Sequence, residues 1–279
     1  MTQPPGIIDS DPWLPCRFGR YVQDWEQTQL DRLVADVFGF HALQLGWPAL
    51  QALRANRMPH RWLLDAREPA DPTLRPPPGL LLRNAAAPLG EPLPVSVLAD
   101  FDALPFPSQS LDLVVLPHTL EIASDPHGTL REVERVLMPE GRVVVVGYNP
   151  ASLLGLRHRA EPLLQRLGHS EPRMPPRGEL IGWRRLRDWL RLLGFEIEQG
   201  RFGCYRPPLA SARWLERHAW MDDTGARWWP VLGSAYVLQA VKRVRGMRLI
   251  GAGWKRPRSA SAAPAVVGQH RTGRDPSAR

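Results

Sequence analysis

Two short apolar runs, Leu111–Leu116 (LDLVVL) and Arg142–Gly147 (RVVVVG), flank an amphipathic stretch, Asp125–Met138, and this arrangement constrains the fold more than any other feature. Runs of that length, rich in Val and Leu on both alternating faces, suit strands buried on both sides. Between them Leu130, Val133, Val136 and Leu137 recur at helical spacing. Asp125 stands where an N-cap belongs and Pro126 at the first helical position, where a missing N–H costs nothing. Strand, helix and strand of these lengths make a βαβ unit, which requires a parallel pair and a right-handed crossover.

The same pattern continues outward. The spacing predicts a helix over Tyr21–Phe38, a strand over Phe40–Leu45 and a helix over Ala49–Asn56. Further strands are expected at Arg61–Ala66 and Pro94–Ala99, with a Pro-dense loop between them that holds a short strand at Leu80–Leu82. Beyond the central unit, helices are expected at Ser152–Gly168 and Gly182–Leu193, and strands at Phe195–Gly200 and Ser234–Val241. Four tryptophans between Trp214 and Trp229 are expected to pack a lid or a core rather than to stack bases. The arginines at 184, 185, 187 and 191 read as the solvated face of a helix.

Charge divides the chain. The formal net charge is +8, yet from Lys242 onward ten Lys and Arg face one acid, Asp275, so residues 1–241 are close to neutral. The high pI therefore belongs to the end of the chain, and nucleic acid is a partner only through that basic tail, which is expected to be disordered and to contact RNA or anionic lipid or simply to aid solubility. The division expected is a Pro-rich segment 1–20, a folded domain 21–245 and a basic tail 246–279. Two cysteines, Cys16 and Cys204, form no CxxC or His/Cys cluster. With no signal-like N-terminus and no long apolar run, the sequence reads as cytoplasmic, with no membrane spanning. Oligomeric state is not legible.

One longer match follows from particular residues. Ala99-Asp100-Phe101-Asp102-Ala103-Leu104-Pro105-Phe106-Pro107 precedes Ser110-Leu111-Asp112-Leu113-Val114, and His118-Thr119-Leu120-Glu121 precedes Asp125-Pro126. The helix then closes on Arg135-Val136-Leu137-Met138-Pro139-Glu140-Gly141. This order resembles the class I S-adenosylmethionine-dependent methyltransferases, in particular methyltransferase type 11, with Glu140 in place of a glycine. The resemblance is strong over 97–147 and loose over 40–242. It implies an α/β, Rossmann-like fold: a mostly parallel seven-stranded sheet flanked by helices.

It also implies S-adenosylmethionine as cofactor and a small-molecule acceptor as partner. The cofactor contacts carried over are Gly46 in the turn after the first strand, Asp65 (with Glu68 as fallback) for the ribose, Asp100 and Phe101 for adenine, and His118 after the fourth strand. His118 is also the candidate catalytic residue, as a base toward the acceptor, with a structural role as the alternative. Asp102 is assigned to solvent, and Tyr148 and Asn149 to the acceptor pocket. The turn Gln44-Leu45-Gly46-Trp47-Pro48-Ala49-Leu50 departs from the family, with one glycine, no acid, and a Trp and a Pro in the turn. Two functions follow: a methyltransferase with a degenerate cofactor loop, or a pseudo-methyltransferase that keeps the fold as a binding or scaffolding module. No metal is expected.

Overall fold

The computed structural model describes residues 16–66, 93, 95–166, 179–208 and 211–243, all within one unit spanning 1–244. Its centre is a seven-stranded sheet in the order β3-β2-β1-β4-β5-β7-β6. The strands are β1 His41–Leu45, β2 His60–Asp65, β3 Val95–Leu98, β4 Leu111–Pro117, β5 Leu137–Tyr148, β6 Phe195–Gly203 and β7 Ala235–Lys242. Strands β1 to β5 pair in parallel, and β7 enters antiparallel between β5 and β6.

The helices are α1 Arg17–Ala35, α2 Thr119–Ile122, α3 Pro126–Val136, α4 Leu153–Arg166, α5 Trp183–Leu192, α6 Ala212–Arg217 and α7 Trp220–Trp228. Alternate residues of the central strands feed two cores. Ala42, Leu63, Leu113, Val115, Val144 and Val146 meet Val22, Leu30 and Val34 of α1. Leu43, Leu64, Val114, Leu116, Val143 and Val145 meet Leu130 and Val133 of α3 and Leu186 and Leu190 of α5. Burial on both faces is what the apolar runs require. Asp125 caps α3 as expected, its side chain accepting from the His127 N–H.

Several boundaries differ from the sequence reading. Helix α1 begins at Arg17, so the last residues assigned to the N-terminal segment belong to the folded domain. Strand β5 begins at Leu137, with Glu140 left-handed at φ 65°, because the link from α3 runs straight into the sheet. The largest correction is Ala49–Asn56, which forms successive turns instead of a helix. The four tryptophans expected in a lid or a core are exposed, which removes the core half of that expectation. The strand expected at Leu80–Leu82, Glu68 and the tail lie outside the described residues.

Candidate functional site

In an open α/β sheet, ligands bind beyond the carboxyl ends of the strands, where the strand order reverses. Here that point lies between β1 and β4. Gly46 follows β1 directly, Asp65 ends β2, Asp100 and Phe101 follow β3, and His118 follows β4. The five sequence candidates therefore stand along one rim, on four neighbouring strands.

The turn after β1 is made by two consecutive left-handed residues, Gly46 at φ 68° and Trp47 at φ 50°. Glycine adopts that region freely, whereas a bulky residue there is strained and must be held by its surroundings. Trp47 is held by burial: it is 1% exposed, and its ring lies 5.1 Å from that of His118. Gly46 is covered in turn, since a Cβ built on it would lie 3.1 Å from Phe101 Cζ.

The missing helix is explained by two glutamine side chains that reach the turn, one from β1 and one from α1. Gln44 is fully buried, and its Nε2 reaches the carbonyls of Gly46, Trp47 and Leu50 at 3.2, 3.1 and 2.6 Å. Its Oε1 accepts from Ala52 N at 2.9 Å. From α1, Gln27 bonds both backbone groups of Gln51. Two glutamine side chains thus satisfy turn groups that helical bonds would otherwise satisfy. No helix N-terminus is aimed at the rim from this turn, so the usual cluster of free N–H groups for an anionic ligand end is lacking here.

His118 lies in the interior, between two carboxylates. Left-handed at φ 54°, it is 1% exposed. Nδ1 is 3.0 Å from Glu121 Oε2, and Nε2 is 3.0 Å from Glu26 Oε1. Its ring also stacks on Tyr148 at 4.0 Å. With both nitrogens engaged by buried carboxylates, the ring has none left to take a proton from an acceptor, and it does not reach the rim surface. Burial opposes its cationic form, but the two carboxylates outweigh this and push the pKa up to about 10. Burial pushes the Glu121 carboxyl up, against the pull of His118 and of the Tyr148 N–H that Oε1 accepts at 2.6 Å.

Tyr148 and Asn149 do not line an open pocket either. Tyr148 is buried against His118, and Asn149 Nδ2 donates to the carbonyls of Val231 and Gly233 at 2.8 and 2.9 Å. Glu26 was missed by sequence reasoning, being 92 positions from His118. Its signal was present, however: it lies one helical turn from Val22 and from Leu30, an acid on the apolar stripe of α1. Asp65 is half-buried, and Asp100 and Asp102 are exposed. Asp100 also accepts the Ala103 N–H at its own carbonyl, which closes the turn after β3. Among the described residues, no group of three or more His, Cys, Asp or Glu side chains could hold a metal ion.

Residues 80–145 match the family model described as a methyltransferase domain. "Uncharacterized protein YafS" of Escherichia coli is 29% identical over 195 residues, which cover 70% of this chain and 68% of that protein. A malonyl-[acyl-carrier protein] O-methyltransferase of Halorhodospira halophila is 42% identical over 64 residues, only 22% of its own length. Two solved structures share the fold. One is a putative methyltransferase in complex with the Haloferax volcanii Trm112 activator, with a TM-score of 0.50 and 18% identity, covering 82% of this chain and 93% of that one. The other is a possible histamine N-methyltransferase of Thermotoga maritima, with a TM-score of 0.50 and 15% identity, covering 84% and 95%. The seven-strand order and flanking helices are thus the fold of these structures, and the likeness to a methyltransferase domain runs over residues 80–145, from before β3 into β5.

Proposed function

We propose that this protein is an S-adenosylmethionine-dependent methyltransferase acting on a small-molecule acceptor. The observation that carries the reading is a pair of carboxylates, Asp65 and Asp100, at the ends of adjacent parallel strands beside left-handed Gly46. Carboxylates accept hydrogen bonds from hydroxyl and amino groups, which is what the ribose and adenine of the cofactor offer. The nucleoside half of the cofactor thus fits: Asp65 would hold the ribose, Asp100 the adenine amino group, and Phe101 would border the ring. When bound, the cofactor supplies a methyl group on a positively charged sulfur, and the protein's part is mainly to position it.

The amino-acid half fits less well, because Trp47 fills the turn and Phe101 lies over Gly46. That packing supports a second reading, in which the fold is kept as a binding module without transfer activity. The relatives do not choose an acceptor: one bears the name of an O-methyltransferase and another that of a ubiquinone/menaquinone C-methyltransferase, and each match covers about a fifth of the relative.

Calorimetric titration with S-adenosylmethionine and S-adenosylhomocysteine tests the first reading. Micromolar binding, weakened at least about tenfold (~1.4 kcal/mol) by Asp100→Ala, is expected. Binding indifferent to that change removes the assigned site. If the wild type gives no heat at millimolar ligand and Trp47→Gly creates binding, the indole is the block and the second reading stands.

A further inference from the structure

A domain of this size hides its tryptophans when it can, yet four on α6 and α7 and just beyond face outward. Trp214 is 50% exposed, Trp220 57%, Trp228 69% and Trp229 49%; Val231 and Leu232 follow at 59% and 45%. Residues 226–232 form an unbroken exposed run, Ala-Arg-Trp-Trp-Pro-Val-Leu. An indole removes roughly 150–250 Å² from water when covered, so a run of this kind marks a surface with a partner.

The exposure is not a packing failure, because the same segment is fastened from beneath by other groups. Asp222 of α7 accepts from Tyr21 of α1 and pairs with Arg206 at 2.8 Å. Gly225 lets α7 lie directly on the Tyr205 ring, and the Tyr205 hydroxyl bonds the Pro230 carbonyl at 2.8 Å. Asn149, at the carboxyl end of β5, anchors the carbonyls of Val231 and Gly233. The inner face is thus polar and closely fitted, and the outer face aromatic, at the ligand-binding rim of the sheet.

Charge selects the partner. Arg213, Arg217 and Arg227 are exposed among the indoles, with Arg217 lying 5.9 Å from the Trp214 ring. The exposed acids nearby are Glu216 and Asp223. Beyond Val241 the chain adds ten basic residues against one acid. Indoles bordered by arginine suit the interface of an anionic bilayer, where the ring sits at headgroup depth and the guanidinium meets phosphate. The aliphatic Pro-Val-Leu that follows the paired indoles can enter acyl chains, a feature that stacking of bases on the indoles would leave unused. Among the described residues no helix is long and apolar enough to cross a membrane, so such contact is peripheral.

We propose that the face formed by α6, α7 and residues 229–232 docks this protein on an anionic lipid surface, with the rim of the sheet beside the membrane. The test is co-sedimentation of the full chain with vesicles of phosphatidylcholine alone or mixed with phosphatidylglycerol. Binding to the mixed vesicles, weakened by salt and reduced at least about tenfold by Trp228→Ser with Trp229→Ser, is expected. Both positions are exposed, so an unchanged thermal melt shows that the double variant is folded. Retention of vesicle binding by the folded double variant overturns the proposal, as does absence of binding by the wild type. A concentration-dependent dimer that the double variant abolishes, or RNA retention that it abolishes, gives the face to another partner and also overturns it. None of these readouts involves methyl transfer, so the outcome is separate from that of the proposed function.

Discussion

Placing an imidazole between two carboxylates in a protein interior is stable only while all three partners are present. If His118 is replaced by an apolar ring, Glu26 and Glu121 are left buried without their common partner. Replacing it with Phe is therefore expected to cost about 3–5 kcal/mol, read as a lowered midpoint in urea denaturation. The pH dependence follows from the same group. The pKa of His118 is about 10 in the folded protein against 6.5 for the free side chain. Its contribution is thus complete below 6.5 and is lost as the pH rises through 10. The stability difference between wild type and His118→Phe should accordingly narrow from neutral pH to pH ~10. Taking the difference also cancels Cys204, whose buried thiol is pushed up as well and weakens the fold in alkali in both proteins. A difference that is constant with pH would mean that the imidazole is neutral in the folded state.

At the scale of elements, the turn after β1 depends on one side chain. Gln44→Leu keeps the volume but deprives the carbonyls of Gly46, Trp47 and Leu50 and the Ala52 N–H of their common partner. A loss on the order of 3 kcal/mol is expected, with hydrogen exchange quickened in residues 46–56 rather than across the sheet. This turn also shows where sequence reasoning reaches its limit. Leu50 and Leu53 have helical spacing and are buried, so periodicity predicts a helix. What prevents it is a glutamine inside the preceding strand and Gln27 from α1, a tertiary contact that no local pattern encodes. The unit β4–α3–β5 was legible because its signals are local: apolar runs, Asp125 at the cap and Pro126 after it. The placement of Gly46, Asp65, Asp100, Phe101 and His118 on one rim was legible for the same reason, since each follows a strand. The burial of His118 was not, because Glu26 reaches it from a helix 92 residues away.

For the whole molecule, charge and fold are separate. The described residues end at Arg243 with the seven-stranded sheet complete. Deleting residues 245–279 removes eight of the basic residues and one acid from a chain of net charge +8. The melting temperature should therefore hold while elution from a cation exchanger moves to lower salt. RNA retention at low salt, if the full chain shows any, should disappear with the same deletion. A large fall in melting temperature would show that the removed segment packs on the domain.

The position of Trp47 has an optical consequence. Its indole is shielded from water and lies 5.1 Å from the ring of His118, which is cationic at neutral pH. A protonated imidazole in contact with an excited indole quenches its emission. A ligand that displaced Trp47 from the turn would separate the two rings and brighten and red-shift that emission together. The difference in fluorescence between wild type and Trp47→Phe therefore gives the protein a built-in gauge of whether its turn is shut or open.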